Sequence, residues 1–380
     1  MGAVPPLLVL GSSDGVVRAL HGLDGSLRWE FTVGYPLKGP QLAAVSDRVY
    51  IATGHGHVYA LRLDDGEMLW HRHVSYPGEP RFDDGVRVVA GGDIMAVNYA
   101  RSDAPSTTMR CITVFDGQDG AERWVFRPAR WPWLPRRMRL PQAGLALLDA
   151  DTTGVYVTKI IDQSPPQPVK ECTVLIDAMN GRRRWSTRQA AAHSHLTWGS
   201  RTSLSVANGT AYTLGEHVSA IAVHNGRLRW QHPSPSTRHR RVLVAGESVV
   251  CVAGGQVFVT YRARDGERLW QMQAQHRPIE SMVLMEPTVY IGEGYTPSGF
   301  TITACDVLTG EVRWVWPHSD QAEHPGRSDI SWRFVGADDI LYVPGPQAIC
   351  AIRGSDGEQL WTWPTHDGIP AMVAVPAARS

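Results

Sequence analysis

Residues 58–70 read VYALRLDDGEMLW: an apolar run rich in β-branched and aromatic residues meets an Asp-Gly pair, and a tryptophan follows four places after the glycine. The chain writes this phrase eight times. The copies end at Gly25/Trp29, Gly66/Trp70, Gly120/Trp124, Gly181/Trp185, Gly226/Trp230, Gly266/Trp270, Gly310/Trp314 and Gly357/Trp361. Successive tryptophans lie 41, 54, 61, 45, 40, 44 and 47 residues apart, so the phrase marks a structural repeat.

Written out, the second copy is GPQLAAV-SD-RVYIATG-HG-HVYALRL-DDG-EMLWHRHV, four short apolar runs broken by turn residues. Four strands per 40–45 residues is the signature of a propeller blade. Asp-Gly and Asn-Gly suit a type I′ hairpin, which needs positive φ at both central positions. The tryptophan then falls on the last strand, where its indole covers the junction with the next blade. The chain opens with what reads as a second strand (PPLLVL, from residue 5) and closes with IPAMVAVPAARS, which reads as a first strand. The expectation is an all-β fold: one eight-bladed β-propeller of four-stranded antiparallel blades over residues 1–380. Its first blade is shared between about 5–34 and 369–376, and pairing of the C-terminal strand with the N-terminal blade closes the ring, leaving no sheet edge.

The phrase A-x-x-x-x-x-G-x-x-x-W, repeated around a ring, resembles the PQQ-like (quinoprotein-type) β-propeller repeat family, which includes quinoprotein dehydrogenases and BamB. The resemblance runs from Pro5 to about Val375. It implies the fold directly and function only loosely, because this family hosts enzymes, assembly scaffolds and sensor domains. For an enzyme it implies PQQ with calcium. The adjacent cysteines of many such dehydrogenases have no counterpart here, and the calcium ligands and catalytic aspartate map to no position.

Lys plus Arg balances Asp plus Glu at 37 each, which argues against nucleic acid or an anionic membrane as partner. The start, MGAVPPLLVLGSSDG, lacks a basic n-region, a long apolar segment and a lipidation cysteine, so a cytoplasmic protein is expected. The five cysteines read as small buried hydrophobes.

Loops joining strands one–two and three–four are short throughout. Every long insertion falls in the other set: 101–109, 127–141, 162–170, 187–198, 293–299 and 316–329. Elaboration of one face of a rigid scaffold is how a binding face looks. Residues entering the first strands supply a candidate funnel rim of Lys38, Arg81, His195, Trp198, Arg241, Arg277, Trp332 and Arg333, with Arg139 and Arg240 beside them. Such cations suit an anionic ligand or an acidic partner loop; the competing reading is a solvated rim balanced by Glu79, Glu280, Asp329 and Asp367. The loop RPARWPWLPRRMRLP offers Arg130, Trp131, Trp133, Arg136 and Arg137 to an acidic protein surface, or else its tryptophans wedge it against the ring.

Histidines come in pairs, His55/His57, His71/His73 and His193/His195, without a third ligand at a diagnostic spacing, so no metal site is expected. No G-x-S-x-G, Walker loop or CxxC is present. The residues favour a non-catalytic scaffold holding a protein or peptide on the loop-rich face. A PQQ-dependent oxidoreductase or a propeller binding a small anion is the alternative.

Overall fold

The structure, a computed structural model, describes residues 6–37, 41–74, 86–104, 107–126, 145–162, 170–190, 203–214, 217–235, 240–245, 249–254, 256–274, 279–296, 299–318, 334–345, 348–365 and 371–377. They form four-stranded antiparallel sheets. The N-terminal sheet takes β1 (Leu7–Gly11), β2 (Val16–His21) and β3 (Leu27–Thr32), and its fourth member is the last strand, β32 (Ala371–Val375). The next holds β4 (Leu42–Val45), β5 (Arg48–Ala52), β6 (His57–Arg62) and β7 (Met68–His73). Then come β8 (Arg87–Gly91), β9 (Ile94–Ala104), β10 (Thr107–Asp116) and β11 (Glu122–Phe126). They are followed by β12 (Leu145–Ala150), β13 (Gly154–Asp162), β14 (Lys170–Asp177) and β15 (Arg183–Ala190). The fifth sheet is β16 (Ser203–Ala207), β17 (Thr210–Leu214), β18 (His217–Ala222) and β19 (Leu228–Pro233). The sixth is β20 (Arg240–Ala245), β21 (Val249–Gly254), β22 (Val257–Arg262) and β23 (Arg268–Gln273). The seventh is β24 (Ile279–Met285), β25 (Thr288–Thr296), β26 (Gly299–Asp306) and β27 (Val312–His318). The last is β28 (Val335–Ala337), β29 (Ile340–Pro344), β30 (Ala348–Arg353) and β31 (Gln359–Pro364).

The expected single, closed eight-bladed ring is corrected by this arrangement. Seven blades are continuous in sequence, and the remaining sheet is a composite in which Val9 of β1 faces Val373 of β32. The sheets are not closed on one another: each ends at its first and fourth strand, so every blade keeps two edges. Neighbouring blades meet through side chains rather than through a shared hydrogen-bond ladder, so the edges that closure was expected to remove persist. The chain also divides into two compact units, Tyr35–Leu196 with three of the sheets, and Met1–Gly34 with Thr197–Ser380 carrying the rest.

Within each unit the repeated phrase explains the packing. The Trp70 indole N–H donates to the carbonyl of Gly117 in the following blade (3.1 Å), and Trp124 donates to Ala178 (3.0 Å). In the other unit Trp230 reaches Ala263, Trp270 reaches Val307, Trp314 reaches Gly354, and Trp361 returns to Gly22 of the N-terminal sheet (2.8 Å). Each acceptor lies three residues before a turn glycine, and each indole covers that glycine: a Cβ on Gly25 would sit 2.8 Å from the ring of Trp361. A buried indole contributes a few kcal/mol through apolar area, and its N–H finds a partner that a buried polar group requires.

Trp29 and Trp185 belong to the blades after which the chain passes from one unit to the other. Both are buried, each 7% exposed. Trp29 faces Ala19 across the β2–β3 ladder, while Trp185 faces Leu175 across β14–β15 and lies 6.4 Å from Tyr156. The blade that follows each of them in sequence belongs to the other compact unit. Within the units, the other six tryptophans make the inter-blade bonds just described. Indoles this deeply buried fill the apolar interior and leave little surface for a ligand.

A second aromatic, absent from the sequence reading, stands beside the tryptophan in several blades. Tyr50, Tyr156, Tyr290 and Tyr342, all on second strands, are among the largest fully buried side chains. Each sits beside the tryptophan of its own blade, as Tyr50 does with Trp70 (6.0 Å between ring centroids) and Tyr342 with Trp361 (5.9 Å). In the second and third sheets Tyr50, Ala52, Val58, Ala60 and Trp70 join Val88, Met95, Val97 and Phe115 in one apolar cluster. The recurring second-strand tyrosine in RVYI, GVYV, TAYT, TVYI and ILYV was the available signal.

The Asp-Gly turn also differs from expectation. Only the glycine takes positive φ (Gly66, 74°; Gly120, 70°), so the turn is not type I′. A register shift in the ladder accompanies the turn, as between Ala60 and Leu61 of β6. The extra residue is Leu69 on β7, three places after the glycine, since Ala60 faces Trp70 while Leu61 faces Met68, which makes a β-bulge separate from the turn. The residue before each glycine has its own task. Asp24, Asp65, Asp119, Asn180, Asn225, Asp265, Thr309 and Asp356 each accept a hydrogen bond from the backbone N–H two residues on. This local bond, available to Asp, Asn, Ser and Thr, selects the residue types seen there.

Two of the expected long loops are corrected as well. Of 101–109, β9 and β10 absorb all but residues 105–106, and of 293–299, β25 and β26 absorb all but 297–298. Extending a hairpin pairs backbone groups that a loop would leave to water.

Candidate functional site

Inside each unit the first strands of successive blades pack side by side: β4 with β8 and β8 with β12 in one, and β16, β20, β24, β28 and β32 in order in the other. The predicted rim was to stand at the entry to these strands. Lys38, Arg81, Arg139, His195, Trp198, Arg277, Trp332 and Arg333 lie outside the described residues, as do Arg130, Trp131, Trp133, Arg136 and Arg137 of the predicted partner loop. Arg240 and Arg241 belong to β20, where the main chain of Arg241 pairs with Ala253. Of the candidate rim, only the main chain of Arg241 thus falls among the described residues.

A titratable group that the sequence reading passed over does stand on a first strand. Asp149 of β12 accepts a hydrogen bond from the Ala150 N–H (2.9 Å). Burial pushes its carboxyl up to about 6; that bond and the Arg87 guanidinium pull the other way and only partly offset it. The sign is clear: a raised folded-state value means its stabilising protonated form is fully present below about pH 4 and lost as pH rises through 6. Asp149 keeps part of its surface in water, which limits the effect to about 2 kcal/mol. Asp149→Asn, which keeps the oxygen facing Ala150, is expected to raise stability at pH 7 by about that amount and to match the wild type at pH 4. Urea melts at pH 4, 5, 6 and 7 check this; parallel curves for the two proteins would remove Asp149 from the account.

The face opposite the Asp-Gly turns carries long hairpins. Strands β9, β10, β13 and β14 run 11, 10, 9 and 8 residues, where β5 and β6 of the preceding blade run 5 and 6. These two hairpins stand on consecutive blades of one unit, with β12 packed against β9 and β10. In the other unit β25 and β26, of 9 and 8 residues, project in the same way.

Two further features line up. In the three-bladed unit, His57 and Tyr59 of β6 share a face with His71 and His73 of β7, the partners being His57↔His73 and Tyr59↔His71. The ring nitrogens His57 Nδ1 and His71 Nε2 are 3.0 Å apart. Tyr35 stacks on His55 and His57 (4.4 and 5.0 Å), and Tyr59 stacks on His71 (4.5 Å). Burial first, then the neighbouring charges, hold His57 and His71 below the ordinary histidine value. In the other unit a cavity of about 430 Å3 is lined by His232, Pro235, Tyr261, Arg268 and Gln271, with His232 stacked on Tyr261 at 5.2 Å.

Among the described residues no three His, Cys, Asp or Glu side chains are disposed to hold a metal ion together. Calcium, which the family resemblance implies together with PQQ, takes six to eight oxygen ligands, and among the described residues no cluster of three carboxylates is present to begin such a set. No helix among them is long and apolar enough to cross a membrane.

The family model described as outer membrane protein assembly factor BamB matches residues 13–193 and 170–330. The serine/threonine-protein kinase AfsK of Streptomyces coelicolor is 25% identical over 218 residues, covering 55% of this chain and 24% of the kinase. BamB of Yersinia pestis is 27% identical over 103 residues, 24% of this chain and 26% of that protein. The chain thus spans about a quarter of the length of either curated relative. Among solved structures, apo AztD of Citrobacter koseri is similar over 100% of both chains, with a TM-score of 0.67 and 15% identity, a likeness of fold.

Proposed function

The chain belongs to the PQQ-like repeat family whose model is described as outer membrane protein assembly factor BamB, and on that premise we propose that it is a non-catalytic binding scaffold. Its occupant is a protein or peptide, held on the face that carries the long hairpins. The observation behind this reading is the elongation of β9–β10 and β13–β14 on consecutive blades, while the Asp-Gly face keeps the same short turn in every repeat. Rigid paired strands carry a recognition surface at lower ordering cost than free loops of the same length. The reading places the protein in the cytoplasm, where the thiols of Cys111, Cys305 and Cys350 stay reduced.

The test trims both hairpins. Ala100 and Arg110 are cross-strand partners, as are Ile160 and Glu171. Joining each pair by Asn-Gly gives a two-residue turn of a kind that closes hairpins. The trimmed protein is expected to keep its far-UV circular dichroism and its urea midpoint and to lose the partner that the intact protein retains in affinity capture from its host. An identical captured set from both proteins would count against this face. Saturable binding of PQQ with calcium, accompanied by substrate-dependent dye reduction, would replace the scaffold by the oxidoreductase reading.

A further inference from the structure

We propose that the histidine-bearing face of β6 and β7 is a chelating site for a divalent transition-metal ion, Cu2+ before others, with His57 Nδ1 and His71 Nε2 as two adjacent ligands. This inference is independent of the scaffold reading. It starts from a distance: the two nitrogens are 3.0 Å apart. With metal–imidazole bonds of about 2.0–2.1 Å, that separation subtends roughly 95° at a shared ion. Neighbouring ligands in a tetragonal site make an angle near 90°, whereas a tetrahedral site opens it towards 109°. The spacing therefore favours Cu2+, then Ni2+, over Zn2+, and it agrees with the lack of a three-ligand group suited to a closed site among the described residues.

The rings are held in place before any ion arrives. Tyr35 stacks on His57 at 5.0 Å and Tyr59 on His71 at 4.5 Å, so the two faces that would otherwise rotate freely are pinned. His73, directly across from His57 with ring centroids 4.8 Å apart, is placed to supply a further nitrogen by side-chain rotation. Water fills the remaining positions. Arg72, on the opposite face of β7, donates to the carbonyls of Gly120, Asp119 and His71.

Without metal, the contact is one N–H···N hydrogen bond between neutral rings. On binding, the ring that donates moves its proton to its other nitrogen. Both rings then turn so that their lone pairs, which face one another in the hydrogen bond, point to the shared ion, and neither ring changes charge.

The experiment titrates chelator-treated, desalted full-length protein with Cu2+ in a non-coordinating buffer. Calorimetry gives the affinity and electron paramagnetic resonance reports nitrogen coupling. The wild type is expected to take up one ion with coupling to at least two nitrogens, and to hold Zn2+ more weakly. His57→Gln and His71→Gln should each weaken Cu2+ at least about tenfold, with His71→Asn giving the same loss at an exposed position. His217→Gln, on β18, should leave it unchanged. Circular dichroism of the metal-free variants separates lost binding from lost fold. No saturable site in the wild type, or unchanged affinity in both His57 and His71 variants, overturns the proposal.

Discussion

Truncation after Thr365, which removes β32, is expected to cost about 5 kcal/mol or more and to strip β1 of its amide protection. β32 pairs with all of β1, from Leu7↔Val375 to Gly11↔Ala371. At about 1 kcal/mol net for each ladder bond, the loss is comparable with the whole stability of an ordinary domain, about 5–15 kcal/mol. Leu7, Leu8, Val9 and Leu10 are at most 2% exposed, so water would reach a strand that has no polar face to offer. Urea denaturation together with hydrogen exchange over residues 7–11 gives the measurement. An unchanged midpoint with β1 still protected would mean that the C-terminal strand is an accessory rather than part of the sheet.

Gly120→Ala is expected to destabilise by about 3 kcal/mol, and Gly34→Ala by only about 1 kcal/mol. Both glycines have positive φ, 70° and 75°, so both substitutions carry the left-handed strain. They differ in what a methyl group meets. At Gly120 it would sit 2.6 Å from Cδ2 of Trp70, and at Gly34 nothing lies within 4 Å. The indole has nowhere to go, being buried, packed beside Tyr50 and Phe115, and tied to the Gly117 carbonyl. Overpacking at such a contact typically adds 1–3 kcal/mol to the backbone strain. Equal midpoints for the two variants would show that the turn needs glycine for its φ alone and that the Trp-over-Gly contact carries no energy.

Much of the blade was legible from residues 58–70. The β-branched runs and the fixed Gly-to-Trp spacing announce a hairpin whose last strand buries an indole. That much holds for Trp29 and Trp185 too, both buried on last strands, but the spacing could not tell that the chain divides after each of their blades. The second-strand tyrosines went unread, because Tyr50 looks like an ordinary strand aromatic until Gly117 of the next blade is seen beneath its hydroxyl. The hairpins 101–109 and 293–299 were read as loops, since Ser, Asp, Pro and Gly outweighed the threonines that the ladder uses. The funnel residues were chosen by charge at strand entries, a property that does not state which side chains converge.

What the sequence by itself determined is the repeat: four short strands, an Asx-stabilised glycine corner, and a tryptophan destined for the apolar interior. Those features follow from local chemistry, because glycine is the residue that takes the left-handed position cheaply and a side-chain oxygen must cap the corner. Only the tertiary structure decided what those parts meet. The bulge at Leu69 moves the register by one residue, placing His57 opposite His73 rather than Arg72. With a side-chain period of two, that single step sets four rings on one face instead of dividing them between two.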